Sequence, residues 1–222
     1  MSKPAASQAP RAPRLGNLQA ATRAELLAEL DWQDVLVVDE MANCDLGQLH
    51  AQGVRCESAA FVGADLQQAR CIDTVFERCD LSGARFDDGA LTRVVFHDCR
   101  LSGVQFNAAR LNDVRFVGCR LDGASFRMAH GERVWFEECV LTEVEFTATE
   151  VVGARFEHCD LTAADFSQAR IGDASLLGSV VEGLRGVAGL QRPIIDATQV
   201  VPFAYSLMAL HGVVIRTEGD DE

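Results

Sequence analysis

From about residue 44 to residue 181 the chain puts an apolar residue at every fifth position. The series runs Phe61, Leu66, Cys71, Phe76, Leu81, Phe86 and onward to Leu176 and Val181, and only Gly131 stands in a slot that otherwise holds a large residue. Two positions before each lies a small or β-branched residue, as at Ala59, Ala64, Ala69, Thr74 and Cys79, while the three remaining positions are mostly polar. A period of five is neither the two of a strand nor the 3.6 of a helix, so no long regular element keeps both apolar positions on one side. The chain must turn every five residues, pointing two side chains inward and three outward. Cysteine recurs at Cys79, Cys99, Cys119, Cys139 and Cys159, a spacing of twenty, which makes four units per coil and a square cross-section. Ten of the twelve phenylalanines recur every ten residues from Phe76 to Phe166, placing them on two opposite sides of that square. The pattern therefore predicts an all-β solenoid of about seven coils over residues 34–183, roughly 34 Å long at ~4.8 Å per coil, with weak ends that need caps.

The flanks supply those caps. Residues 1–20 are rich in Ala, Pro, Ser and Arg and are expected to form a disordered tail. Thr22 and Glu25 have the spacing of a capping box ahead of Leu26, Leu27 and Leu30, which predicts an N-terminal capping helix within residues 21–33, with Trp32 beside it. Residues 34–43, with Val35, Leu36, Val37 and Val38, read as an imperfect first strand. Beyond Val181 the pattern decays through Gly183, Gly186 and Gly189, and residues 184–217 are expected to hold a C-terminal cap. Its helix starts at Asp196 or Pro202 and stops at Gly212, and Val213, Val214 and Ile215 add a short strand. The helix carries more apolar surface than one stripe, so it is either buried as a cap or shared with a second subunit. Residues 218–222 form an acidic tail.

Charge narrows the choice of partner. Twenty Lys and Arg against 33 Asp and Glu give −13, which argues against direct binding of nucleic acid or an anionic membrane. No apolar run is long enough for a membrane span and no signal-peptide core is visible, so a cytoplasmic location is expected. The eight cysteines lack any CxxC pair and are expected to be reduced. One thiol per coil in a linear stack does not surround a metal, and the register makes these cysteines small core residues. His97, His130 and His158 fall on outward positions without a convergent nucleophile or acid pair, so neither an enzyme nor a cofactor is expected. Within the repeat, residues 59–133 balance ten acids with ten arginines, whereas residues 134–183 set ten acids against Arg155 and Arg170 alone.

Units such as Cys79-Asp80-Leu81-Ser82-Gly83, Ala64-Asp65-Leu66-Gln67-Gln68 and Cys159-Asp160-Leu161-Thr162-Ala163 resemble the A(D/N)LXX signature of pentapeptide repeat proteins. The resemblance covers about 140 residues and implies a right-handed quadrilateral β-helix. Proteins of the Qnr and MfpA type in that family mimic DNA and bind type II topoisomerases. The resemblance thus implies a protein partner such as DNA gyrase or topoisomerase IV, as in fluoroquinolone or topoisomerase-poison resistance. It also implies a homodimer through the C-terminal region, with Phe203, Tyr205, Leu207, Met208 and Leu210 as the dimerisation residues. The acidic half offers Glu137, Glu138, Glu143, Glu145, Glu150, Asp160 and Asp165 as partner-binding residues. Trp135, on an outward position, is either a contact residue or lies against the Arg115 and Arg155 side chains one coil away on each side. The alternative is an interaction scaffold without DNA mimicry, contacting its partner around residues 128–135, where Gly131 leaves either a void or a bend.

Overall fold

The computed structural model describes residues 8–213. The chain winds into a four-sided parallel β-solenoid of about nine turns. Successive coils pair in register twenty residues apart, as in Phe76 with Phe96 and Phe96 with Phe116. Every five-residue unit turns through a left-handed residue two positions after its inward apolar centre, for example Ala108 (φ 55°), Met128 (φ 56°) and Glu138 (φ 54°). That conformation costs a non-glycine residue about 1–2 kcal/mol, and the hydrogen bonds passed from coil to coil offset it.

The four sides are numbered here from their centres. Face one carries Phe61 and Leu81, face two Leu66 and Phe86, face three Cys71 and Leu91, and face four Phe76 and Phe96. Faces three and four share continuous eight-residue strands, Arg70–Glu77, Ala90–His97, Arg110–Val117 and His130–Glu137. Faces one and two pair only through isolated bridges such as Asp80 with Arg100 and Arg85 with Gln105. Inside, the phenylalanines of face four stack at 4.8 Å and nearly parallel, Phe76 on Phe96 on Phe116 on Phe136, at the coil spacing itself. Those of face two stack likewise and meet face four edge-on, as Phe96 meets Phe106 at 6.1 Å. Each such pair is worth about 0.5–1.5 kcal/mol beyond its buried area.

The eight cysteines are free and buried. The ladder cysteines also have a polar role: Cys119 Sγ lies 3.4 Å from the Phe96 carbonyl, and Cys139 and Cys159 repeat this contact with Phe116 and Phe136. Ser179 takes the same place one coil on and donates to Phe156 at 2.9 Å, so the slot holds a donor for a buried carbonyl.

The solenoid reaches further at both ends than the five-residue pattern, which is why about nine turns replace the expected seven. Asp31–Gln33 and Val35–Val37 already pair with the next coil, in a register of nineteen residues instead of twenty. Leu190–Gln191 and Ile194 form the last turn, again nineteen residues from their partners Ile171, Gly172 and Ser175. The N-terminal helix, α1, covers only Arg23–Ala28. It has the Thr22–Glu25 capping box, buries Leu26, and receives the Trp32 Nε1 hydrogen bond on the Leu26 carbonyl at 2.9 Å. Residues 8–20 are not a loose tail: they run along the outside of the solenoid and end in the strand Gln19–Ala20, which pairs below Val35 and Leu36. At the other end Asp196 caps a 3-10 turn, Ala197–Gln199, that leads into α2, Val200–Leu210. Buried Gln199 donates from Nε2 to the carbonyls of Leu176 and Ser179, both at 2.6 Å, and so closes the final coil. Residues 1–7 and 214–222, including the acidic tail and most of the expected last strand, lie outside the described residues.

Candidate interaction surface

The coil register decides where each candidate carboxylate stands. Glu137 and Glu138 are on face four, Glu143 and Asp160 on face one, Glu145 and Asp165 on face two, and Glu150 on face three. The acidic half is therefore not one continuous face, because residues close in sequence wrap around all four sides.

Ion pairing then separates them. On faces two and three every acid of this half has its own arginine. Glu145 lies 3.7 Å from Arg127, Asp165 3.5 Å from Arg185, Glu150 2.8 Å from Arg170, and Asp173 2.8 Å from Arg192. On the edge where face four meets face one, Glu137 is held by Arg115 at 2.9 Å and Glu157 by Arg155 at 3.2 Å. Around face one, Glu138 on its corner with face four, Glu143 on its corner with face two and Glu182 on the face itself are exposed, and Asp160 on the same face is half-buried. Among the described residues none of these four has a cationic partner. Asp160 instead accepts from the Thr162 backbone N–H at 3.0 Å and hydroxyl at 2.6 Å, which orients its carboxylate. The surplus negative charge of the C-terminal half thus concentrates on face one and its two corners, which together form the acidic edge of the solenoid.

Trp135 is half-buried, with the Arg155 guanidinium 4.3 Å above its ring centroid, so the side chain lies against Arg155 of the next coil. Its indole Nε1 is buried without a hydrogen-bond partner. On α2, Phe203 turns into the core, which removes it from the expected dimerisation set. Tyr205, Leu207, Met208 and Leu210 are exposed together with Val200 and Val201. The missed signal was the 3.6-residue period itself: Phe203 and Ser206, three apart, mark the inward face.

The described residues hold no group of three or more metal-ligating side chains. Burial pushes the Cys71 thiol up to about 12.

A family model described as "Pentapeptide repeat region" matches residues 71–146, and one described as "Pentapeptide repeats (8 copies)" matches residues 139–176. No curated protein matches the sequence. Among solved structures, full-length QnrB1, described as a plasmid-mediated fluoroquinolone resistance protein, is 21% identical, with 80% of this chain and 99% of that chain covered and a TM-score of 0.45. HetL, from the cyanobacterium Nostoc sp. strain PCC 7120, is 16% identical over 75% of this chain and 90% of its own, with a TM-score of 0.33.

Proposed function

This chain is a pentapeptide repeat protein, and we propose that it acts without catalysis, as a DNA mimic whose acidic edge binds the DNA-binding surface of a protein partner. The observation that carries this reading is the group of carboxylates around face one that have no arginine partner among the described residues, Glu138, Glu143, Asp160 and Glu182. From residue 137 to residue 182 the coil climbs roughly 11 Å at ~4.8 Å per turn. Along the axis the four uncompensated charges rise by about 1, 4 and 5 Å in turn, an uneven series whose mean is close to the ~3.4 Å per phosphate along one strand of DNA. A basic groove that attracts a phosphate backbone is attracted to this edge by the same long-range field.

The partner class proposed is a bacterial type II topoisomerase, with DNA gyrase tested first because the repeat units resemble those of the Qnr and MfpA type. A cytoplasmic location is part of the same proposal. The exposed apolar residues of α2 support a homodimer as its assembly, with the acidic edges of both copies available. The experiment is a gyrase supercoiling assay, with and without a fluoroquinolone, titrated with the natural chain and with Glu138→Lys/Glu143→Lys/Glu182→Lys. Inhibition or drug protection by the natural chain is expected, with loss of at least tenfold in potency for the triple variant and a melting temperature within a few degrees. Equal potency of the two proteins would place the contact elsewhere. No effect of either would remove gyrase as the partner.

A further inference from the structure

A second row of carboxylates lies on the corner where face three turns into face four, and it is already occupied. This corner carries Asp34, Gly53, Asp73, Arg93, Asp113 and Arg133 in successive coils, all in the left-handed conformation of the turn. Arg93 binds Asp73 through Nε at 2.6 Å and a terminal nitrogen at 2.7 Å, and Arg133 binds Asp113 in the same two-pronged way. These pairs fix the carboxylates, yet each Asp Oδ1 accepts one hydrogen bond more. The backbone N–H of Arg11 donates to Asp113 at 3.1 Å, and that of Arg14 donates to Asp73 at 3.0 Å.

The spacing accounts for the choice of residues. Asp73 and Asp113 are two coils apart, about 10 Å at ~4.8 Å per coil. Arg11 and Arg14 are three residues apart, and an extended polyproline-type chain advances about 3.1 Å per residue with three residues per turn. Every third N–H of such a chain points the same way and arrives at every second coil. The strap has the matching sequence, Pro10-Arg11-Ala12-Pro13-Arg14, in which a proline before each donor favours the extended form. Pro10 is buried and Leu15 and Leu18 are half-buried against the solenoid. The strap then passes the third carboxylate through Gly16, where an added Cβ would lie 3.0 Å from Asp34 Oδ1.

We infer that this corner is a groove for extended peptides of the pattern Pro-Arg-x-Pro-Arg, that residues 8–18 are its tethered occupant, and that its external ligand is a segment of this pattern in a partner protein. The groove reads main-chain N–H groups at a three-residue repeat, and its carboxylates favour arginines flanking them. The built-in strap competes by proximity, so an external segment binds when the strap is displaced. This inference does not depend on the acidic edge or on gyrase.

The test uses the full chain. Arg11→Pro/Arg14→Pro keeps the strap extended and removes the two N–H donors. A fluorescein-labelled peptide of residues 8–18 is titrated with the natural chain and with this variant, and fluorescence anisotropy reports binding. The expected result is at least tenfold tighter binding to the variant, weakened by salt, with no binding of a peptide carrying proline at both donor positions. Equal binding to both proteins, or binding to neither, overturns the groove. In the natural chain, hydrogen exchange gives an independent check that does not rely on the variant folding. The amides of Arg11 and Arg14 are expected to exchange at least tenfold more slowly than in the free peptide, and free-peptide rates would also overturn the inference. Strap exchange between two copies, detected as dimers of the variant that the free peptide dissolves, would replace the partner segment with a second copy and overturn that part.

Discussion

Gly131 shows how one residue serves two neighbours at once. It pairs with Leu111 below and Val151 above in a slot that is otherwise filled by large side chains. Beside it lies an interior void of about 10 Å³ lined by Leu111, Phe126, Phe136, Phe146 and Val151 among others. The void cannot be filled from this position. A Cβ built on Gly131 would fall 1.8 Å from the Leu111 carbonyl oxygen, so any side chain must push two coils apart. Of the alternatives read from the sequence, a void or a bend, the structure thus combines a void with a close backbone approach. Gly131→Ala is expected to lower stability by about 1–3 kcal/mol, the cost of overpacking, and not to raise it. Thermal melting followed by circular dichroism checks this; an unchanged or higher midpoint would mean that the coils relax without cost. The cysteine ladder makes a related point. Its inward position was legible from the twenty-residue spacing, whereas its hydrogen bond to a carbonyl of the coil before was not, because that partner is twenty-three residues away.

At the scale of elements, the two helices close the ends differently. α1 needs one buried leucine and the Trp32 hydrogen bond. α2 is anchored by Gln199, Phe203 and Ser206 and leaves Val201, Tyr205, Leu207 and Met208 to solvent. Removing such side chains from water, at about 25 cal/mol per Å² of apolar surface, is the available driving force for the proposed dimer. Tyr205→Glu/Met208→Glu is expected to convert a dimer to monomer in sedimentation velocity while the coil spectrum stays intact, since neither residue is in the core. A natural chain that sediments as a monomer at high micromolar concentration would end the dimer proposal. Element boundaries were legible where a local signal exists, as at the capping box of Thr22 and Glu25. They were not legible for the first and last coils, where one residue is dropped and the five-residue register slips.

For the whole molecule, each coil is stabilised mainly by the coils on either side, so stability should fall toward the ends. The eight buried thiols report this level by level. Cys44, 9% exposed near the N-terminal end, should react first with an alkylating agent under native conditions. Cys99 and Cys119, each 2% exposed in the middle, should react last. Mass spectrometry of pulse-labelled protein reads the order, and uniform labelling would mean that the solenoid opens as one unit. The same linear architecture explains the charge pattern. With twenty residues per coil, acids five apart in sequence face different sides, while acids twenty apart share one.

The sequence by itself determined the inward and outward positions, the four-unit coil, the stacking of like on like and the excess of acid in the C-terminal half, because all of these are periodic properties of a chain that turns every five residues. Only the tertiary structure decided which acids are neutralised, that Phe203 points inward, and that residues 8–20 lie on the solenoid. Those outcomes depend on side chains meeting across coils and on a strap whose partners are 59 and 102 residues away. Composition suggested disorder for that strap because it buries little of its own surface; the carboxylates of Asp73 and Asp113, fixed by arginines in other coils, supply the acceptors its own sequence lacks.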